Sequence, residues 1–199
     1  QGVPARIFRV SFTGELGYEI NVPSGYGLSL WEALSEAAIS FDGCVYGTDT
    51  MHALRAEKGY IIVGQETDGT MVPDDVGLSW VVGKHKTDFV GKRSLDRSGM
   101  RRTDRPQLVG LLTATSEIVL EEGAQITAAE HPAAGTSALG FVSSAYYSQH
   151  LDRSIALAMV AGGRARIGEY FFVPMPDQSI AVEVVSPVFF DPDGARLNG

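Results

Sequence analysis

"MRRTDRP", residues 100–106, separates two kinds of sequence. Three arginines and a proline fall within seven residues, and no apolar pattern runs through them. Polar, proline-containing stretches of this kind are where domain boundaries fall. Beyond it, short apolar runs recur between turn clusters: "QLVGLLTA", "AQITA", "SALGFVSSAYY", "SIALAMV", "EYFFV" and "IAVEVVSPVFF". Runs of strand length at that spacing, without helical periodicity, predict a closed or sandwiched all-β module. The expectation is a small antiparallel β-barrel over residues 105–199, with no helix of three turns or more.

Upstream of the boundary the period changes. In "IFRVSF" (7–12), Phe8, Val10 and Phe12 alternate with Ile7, Arg9 and Ser11, the period of a half-buried strand. "GYEINV" (17–22) alternates again, with Tyr18, Ile20 and Val22 on one face and Glu19 and Asn21 on the other. The intervening "TGELG" suits a longer hairpin loop. In "SGYGLSLWEALSEAAISF", Leu30, Trp31, Leu34, Ala37, Ala38 and Phe41 recur at helical spacing and predict an amphipathic helix over 27–41. "GTDTMHALRAEKG" (47–59) predicts a second helix, with Thr48 or Asp49 as its cap and Gly59 just past its end. "YIIV" (60–63) and "GLSWVV" (77–82) read as strands, and "GKRSLDRSG" (91–99) as a short helix. The fold class is α+β: an α+β region over residues 1–99, then the barrel.

Composition narrows the function. A formal net charge of −8 lacks the electrostatic footprint of a general nucleic-acid binder. The single cysteine, Cys44, excludes an internal disulfide and any multi-cysteine metal site, and a reducing cytoplasm is its simplest setting. The four histidines have no metal-ligand spacing, so no structural zinc is expected. No apolar run reaches the length of a membrane span. The opening "QGVPARIFRV" has no initiator Met and moves directly into strand pattern, so a piece of a longer chain is expected. Glu66, Asp74 and Asp75 read as solvated loop acids. Arg97, Arg101, Arg102 and Arg105 read as a solvated linker, or as an attraction for an anionic ligand or partner subunit.

Successive blocks carry a resemblance. "FTGELGYEI", "HALRAEKGY", "VGQETDGTMVPDDVGLSWVV" and "KHKTDFVGKRSL" resemble, in order, the aminomethyltransferase (glycine-cleavage T-protein) family. "GTSALGFVSSAYYS", "SIALAMV" and "PVFFDPDGARLNG" are similar to that family's closing β-barrel. Within the family, the wording of 54–82 most resembles α subunits of heterotetrameric sarcosine oxidase. The resemblance implies a tetrahydrofolate site in which Glu19 binds the pterin. One carboxylate can accept from an exocyclic amino group and a neighbouring ring N–H together, and a strand holds it more rigidly than a loop. Alternation alone leaves Glu19 as a solvent-facing strand residue.

Phe12 and Tyr18 are implied as walls of that site, with Phe12 otherwise part of a core trio with Phe8 and Val10. Arg55 matches a family arginine and would pair with Glu57 or Glu19, and Arg196 would reach the site from the C-terminus. Thr48 stands where the family commonly carries a folate-binding arginine. The implied reaction starts with sarcosine oxidised on a flavin to an imine. N5 of tetrahydrofolate then captures the former methyl carbon, giving glycine and 5,10-methylenetetrahydrofolate. No G-x-G-x-x-G fingerprint occurs here, so flavin and NAD are expected only in other parts of the full enzyme. Other subunits of a hetero-oligomeric oxidase are the expected partners, with no nucleic acid and no membrane. No catalytic residue is expected in this fragment, which alone would be inactive. Two alternatives stay open: a non-catalytic folate-binding or assembly module, and part of a related folate-linked demethylating enzyme such as dimethylglycine oxidase.

Overall fold

A computed structural model describes residues 2–199. Strand β1 (Arg6–Arg9) pairs antiparallel with β2 (Tyr18–Asn21), Phe8 lying opposite Glu19. Helix α1 (Gly27–Ile39) and helix α2 (Thr48–Glu57) follow, then a long irregular segment carrying the single-turn helix α3 (Lys92–Leu95). Both long helices and the short one lie within the stretches that the sequence predicts as helical. Neither "YIIV" nor "GLSWVV" is a strand: the first is irregular and the second contains a 3₁₀ turn over Ser79–Val81. Short apolar runs do not distinguish a strand from a buried irregular segment. The cap of α2 is Gly47, and neither Thr48 nor Asp49 makes the expected cap.

The remaining strands are β3 (Pro106–Thr113), β4 (Gln125–Ile126), β5 (Gly140–Ser148), β6 (Arg153–Ala161), β7 (Tyr170–Pro174) and β8 (Ser179–Val185). They form one antiparallel sheet in the order β4-β5-β6-β3-β8-β7. No α-helix interrupts it. The barrel expectation is corrected to a six-stranded sheet whose edges only touch. Just past β4, Thr127 bridges Phe172 of β7 through two backbone hydrogen bonds of 2.8 and 2.9 Å.

Strand β6 explains how the sheet builds two cores. Its odd-numbered residues Ile155, Leu157 and Met159 pack with Ala56 of α2, Val76 and Leu108. Its even-numbered residues Ala156, Ala158 and Val160 point into the other cluster with Val109, Leu111, Val142, Val173 and Val182. Alternate side chains of a strand face opposite sides, so a strand buried on both reads as one apolar run, as "SIALAMV" does. Alanines fill the face enclosed by the curling sheet, and longer side chains fill the face under the helix.

Gly59 ends α2. Its φ of +70° is the left-handed conformation, and the Gly59 and Tyr60 N–H groups return to the Ala56 and Arg55 carbonyls at 2.9 Å each. This double return closes the helix as a Schellman motif. A Cβ at Gly59 would also lie 2.5 Å from the Pro187 carbonyl oxygen. Gly59→Ala should therefore destabilise the fold by more than the ~1–2 kcal/mol of the left-handed conformation alone, read as a shift in urea midpoint.

Candidate functional site

Helix α2 is docked onto the sheet by its own charged residues. Arg55 is completely buried. Its guanidinium donates to Glu66 Oε2 at 3.0 Å, to the Tyr60 carbonyl at 3.0 Å and to Ser144 Oγ at 2.7 Å. Ser144 in turn donates to the other oxygen of Glu66, and Glu66 Oε2 also accepts the Ile62 N–H at 2.7 Å. Two residues along, Glu57 accepts from Ser148 Oγ at 2.6 Å and lies 2.8 Å from Nδ1 of His150. Ser144, Tyr146 and Ser148 share one face of β5 by alternation, so one strand receives two charged residues from one helix. A register shift between Val142 and Ser144 inserts Ser143 as a bulge and sets that face.

These contacts correct three expectations. Arg55 pairs with Glu66, not with Glu57 or Glu19, and its guanidinium offers no solvent-facing edge to a ligand. Glu66 and Asp75 are buried, not solvated. Arg105 leaves the linker to pair with Asp75, its Nε 3.0 Å from Oδ1. A buried carboxylate must be paired, and "GQETDGTMVPDD" contains no sign of arginines eleven residues upstream or thirty downstream.

The hairpin presents the other predicted residues at the surface. Glu19 is exposed, and among the described residues its carboxylate has no hydrogen-bond or ion-pair partner. It shares its face with Phe8, the residue opposite, which is itself 44% exposed. Tyr18 is exposed on the reverse face. Phe12 is half-buried and lines a cavity of about 410 Å³ with Tyr60, Ile61, Val76, Leu78 and Trp80. That cavity includes neither Glu19 nor Tyr18, so the predicted residues fall into two groups. The core trio does not form either, because Phe8 and Val10 are both exposed. A larger cavity, about 430 Å³, is lined by Arg101, Arg102 and Arg164 together with Asp74 and Asp75, and Glu19 is not part of its lining.

The C-terminal segment reaches the hairpin through Arg196, which meets the turn and not Glu19. Its carbonyl accepts the Leu16 N–H at 3.0 Å, its guanidinium pairs with Glu15, and it lies over the Phe190 ring at 5.6 Å. Arg9 of β1 donates to the Leu197 carbonyl at 3.1 Å. Sequence reasoning missed Lys58, whose ammonium lies 2.8 Å from Asp191 Oδ2 in a nearly buried pair. The Lys58 hydrogen bond holds the Asp191 carboxyl below the usual carboxylate range, assisted by the Arg196 and Ala195 N–H groups and opposed by desolvation. The only available signal was position: Lys58 ends the helix, and Asp191 sits in the closing block.

The α+β segment rests on a six-stranded antiparallel sheet, joined to it by helix α2, by Asp75 with Arg105 and by Asp74 with Arg164. The chain belongs to the glycine-cleavage T-protein family. Residues 1–86 match the GCVT N-terminal domain, and residues 107–191 match the glycine cleavage T-protein C-terminal barrel domain. The sarcosine oxidase subunit alpha of Corynebacterium sp. (strain U-96) is 48% identical over 100% of this chain and 21% of its own length. That of Rhizobium meliloti (strain 1021) is 42% identical over 96% and 20%. An aminomethyltransferase of Nitrosomonas europaea is 34% identical over 92% of this chain and 47% of its own. The crystal structure of glycine cleavage system aminomethyltransferase T from Bartonella henselae superposes with a TM-score of 0.77 at 26% identity, over 92% of this chain and 49% of the other. The chain thus spans about a fifth of the length of its sarcosine oxidase relatives.

Two outcomes follow for the α2 anchor and the C-terminal segment. Arg55→Met should cost about 3–5 kcal/mol, because it leaves the Glu66 carboxylate buried without its counter-charge, and a denaturant titration reads this directly. A carboxyl whose folded-state pKa is depressed stabilises the fold above its ordinary value near 3.8 and loses that contribution as pH falls below it. Asp191→Asn should therefore lose less melting temperature than the parent between pH 5 and about pH 3.

Proposed function

We propose that this chain is the folate-facing part of an amine-oxidising enzyme of the sarcosine oxidase α-subunit kind. The observation that carries the reading is the similarity to those subunits over 96–100% of the chain, at 42–48% identity. The local chemistry fits a tetrahydrofolate. A pterin edge offers adjacent N–H donors, and Glu19 offers an acceptor-only carboxylate that no donor among the described residues occupies. Phe8, on the same face, supplies an apolar flat surface beside it. Phe12, Tyr60 and Trp80 offer a second aromatic surface around the neighbouring cavity.

Tetrahydrofolate supplies the nucleophilic nitrogen that takes up the one-carbon unit. The residues of this chain bind and orient it, a contribution of proximity that needs no proton transfer from them. The oxidation that produces the one-carbon unit belongs to other parts of the enzyme. The same reading places the protein with partner subunits and in the cytoplasm.

Glu19→Gln in the full-length enzyme keeps the shape and sets an amide donor against ligand donors. It should weaken tetrahydrofolate binding by about 1.5–3 kcal/mol, the worth of a hydrogen bond to a charged group. Oxygen consumption with sarcosine in the absence of folate should stay at the parent's level. Unchanged folate affinity in this variant would remove Glu19 from the site and return it to a solvated strand position.

A further inference from the structure

The hairpin that carries Glu19 has little of its own to hold it. Its two strands are four residues each, every residue of β1 is exposed, and an isolated two-stranded ribbon is marginal in water. A carboxylate positioned for a ligand needs a rigid support. The contacts around residues 13–17 supply one, and they converge on Lys58.

The Lys58 stem packs directly beneath Gly14. A Cβ on that glycine, whose φ is +83°, would lie 2.9 Å from Cγ and Cδ of the lysine. The ammonium at the end of the same stem binds Asp191 through a carboxylate oxygen and the main-chain carbonyl. Asp191 adopts φ +47°, and its carboxylate accepts the N–H groups of Ala195 at 3.0 Å and Arg196 at 3.2 Å, which fixes the final turn. That turn then holds the hairpin from the other side, through Leu16 N–H, Glu15 and Arg9. The base of the strap is fastened to the same helix, because Phe189 and Phe190 donate their N–H groups to the Glu57 carbonyl at 2.8 and 3.0 Å.

We propose that Lys58 and Asp191 are positioning residues for the folate site: their pair latches residues 187–199 to the end of α2, and the latched segment holds the turn that leads into Glu19. The assignment rests on the folate reading of Glu19. Lys58 touches the turn and the strap at once, so its charge acts on the strap while its methylenes act on the turn. Arginine shares the first three methylenes and the charge, whereas methionine keeps the apolar stem and loses the charge.

The test uses the full-length enzyme with three readouts: tetrahydrofolate affinity, amine oxidation without folate, and hydrogen exchange in the peptide spanning residues 11–19. Lys58→Met and Asp191→Asn should each weaken folate about tenfold, a typical penalty for a displaced binding group, and raise exchange in that peptide. Amine oxidation should not change. Lys58→Arg should restore most of the affinity. On a Glu19→Gln background, Lys58→Met should cost little further affinity, because residues acting through one group are not additive. If Glu19→Gln itself leaves affinity unchanged, the folate reading falls and this assignment with it. If Glu19→Gln weakens binding while Lys58→Met and Asp191→Asn do not, the positioning role alone is overturned. Full additivity with Glu19→Gln, or no rescue by arginine, also overturns it. Should Lys58→Met fail to fold, Asp191→Asn, which changes charge at nearly constant shape, decides the matter.

Discussion

The buried Arg55–Glu66 pair is the constraint on which the arrangement of the two halves depends. Placing a guanidinium and a carboxylate out of water is costly unless nearly every polar edge is matched. Here the match is supplied by three separate pieces of chain: helix α2, the loop after it, and strand β5. None of the three can shift alone without stranding a charge, so the helix sits on the sheet in one register. The apolar contacts of Ala56 with Leu108, Ile155 and Leu157 add attraction between the same surfaces but little direction.

From that anchored helix the rest of the candidate site is hung. The end of α2 supplies Glu57, Lys58 and Gly59 in succession, and each meets a different partner. Glu57 receives Ser148, His150 and the start of the C-terminal strap; Lys58 receives Asp191; Gly59 admits the Pro187 carbonyl. His150 also stacks on Phe190 with ring centroids 4.7 Å apart, so the strap is gripped on both sides. The hairpin, by contrast, touches this anchored body mainly through its turn. Helix α1 buries no residue fully, and Trp31 and Leu34 of its apolar stripe remain exposed.

Much of the fold was legible because it rests on short-range pattern. The period of α1, the glycine ending α2, the hairpin around "TGELG" and the change of texture at "MRRTDRP" are all local signals, and each element lies there. The misreadings have a common origin. In "YIIV" and "GLSWVV" only Ile61 and Leu78 pack against the core beside the sheet, and strand-like composition does not distinguish that from pairing within it. The burial of Arg55, Glu66 and Asp75 was illegible because charged side chains are exposed by default. Only partners distant along the chain, such as Ser144 at 89 residues from Arg55, make burial tolerable.

By itself the sequence determined the order and type of most elements and the presence of a carboxylate in the strand after the Gly-rich turn, since periodicity and turn chemistry act between near neighbours. Tertiary structure decided which charges are structural and which stay free. Arg55, chosen from sequence as a ligand group, became the pivot under the helix, while Glu19 stayed at the surface with no partner among the described residues and Lys58, an ordinary helix-end lysine in the sequence, became a link between two distant segments. The reason is physical: a charge takes its role from the dielectric and the counter-charge around it, and both are set by chain segments brought together only by folding.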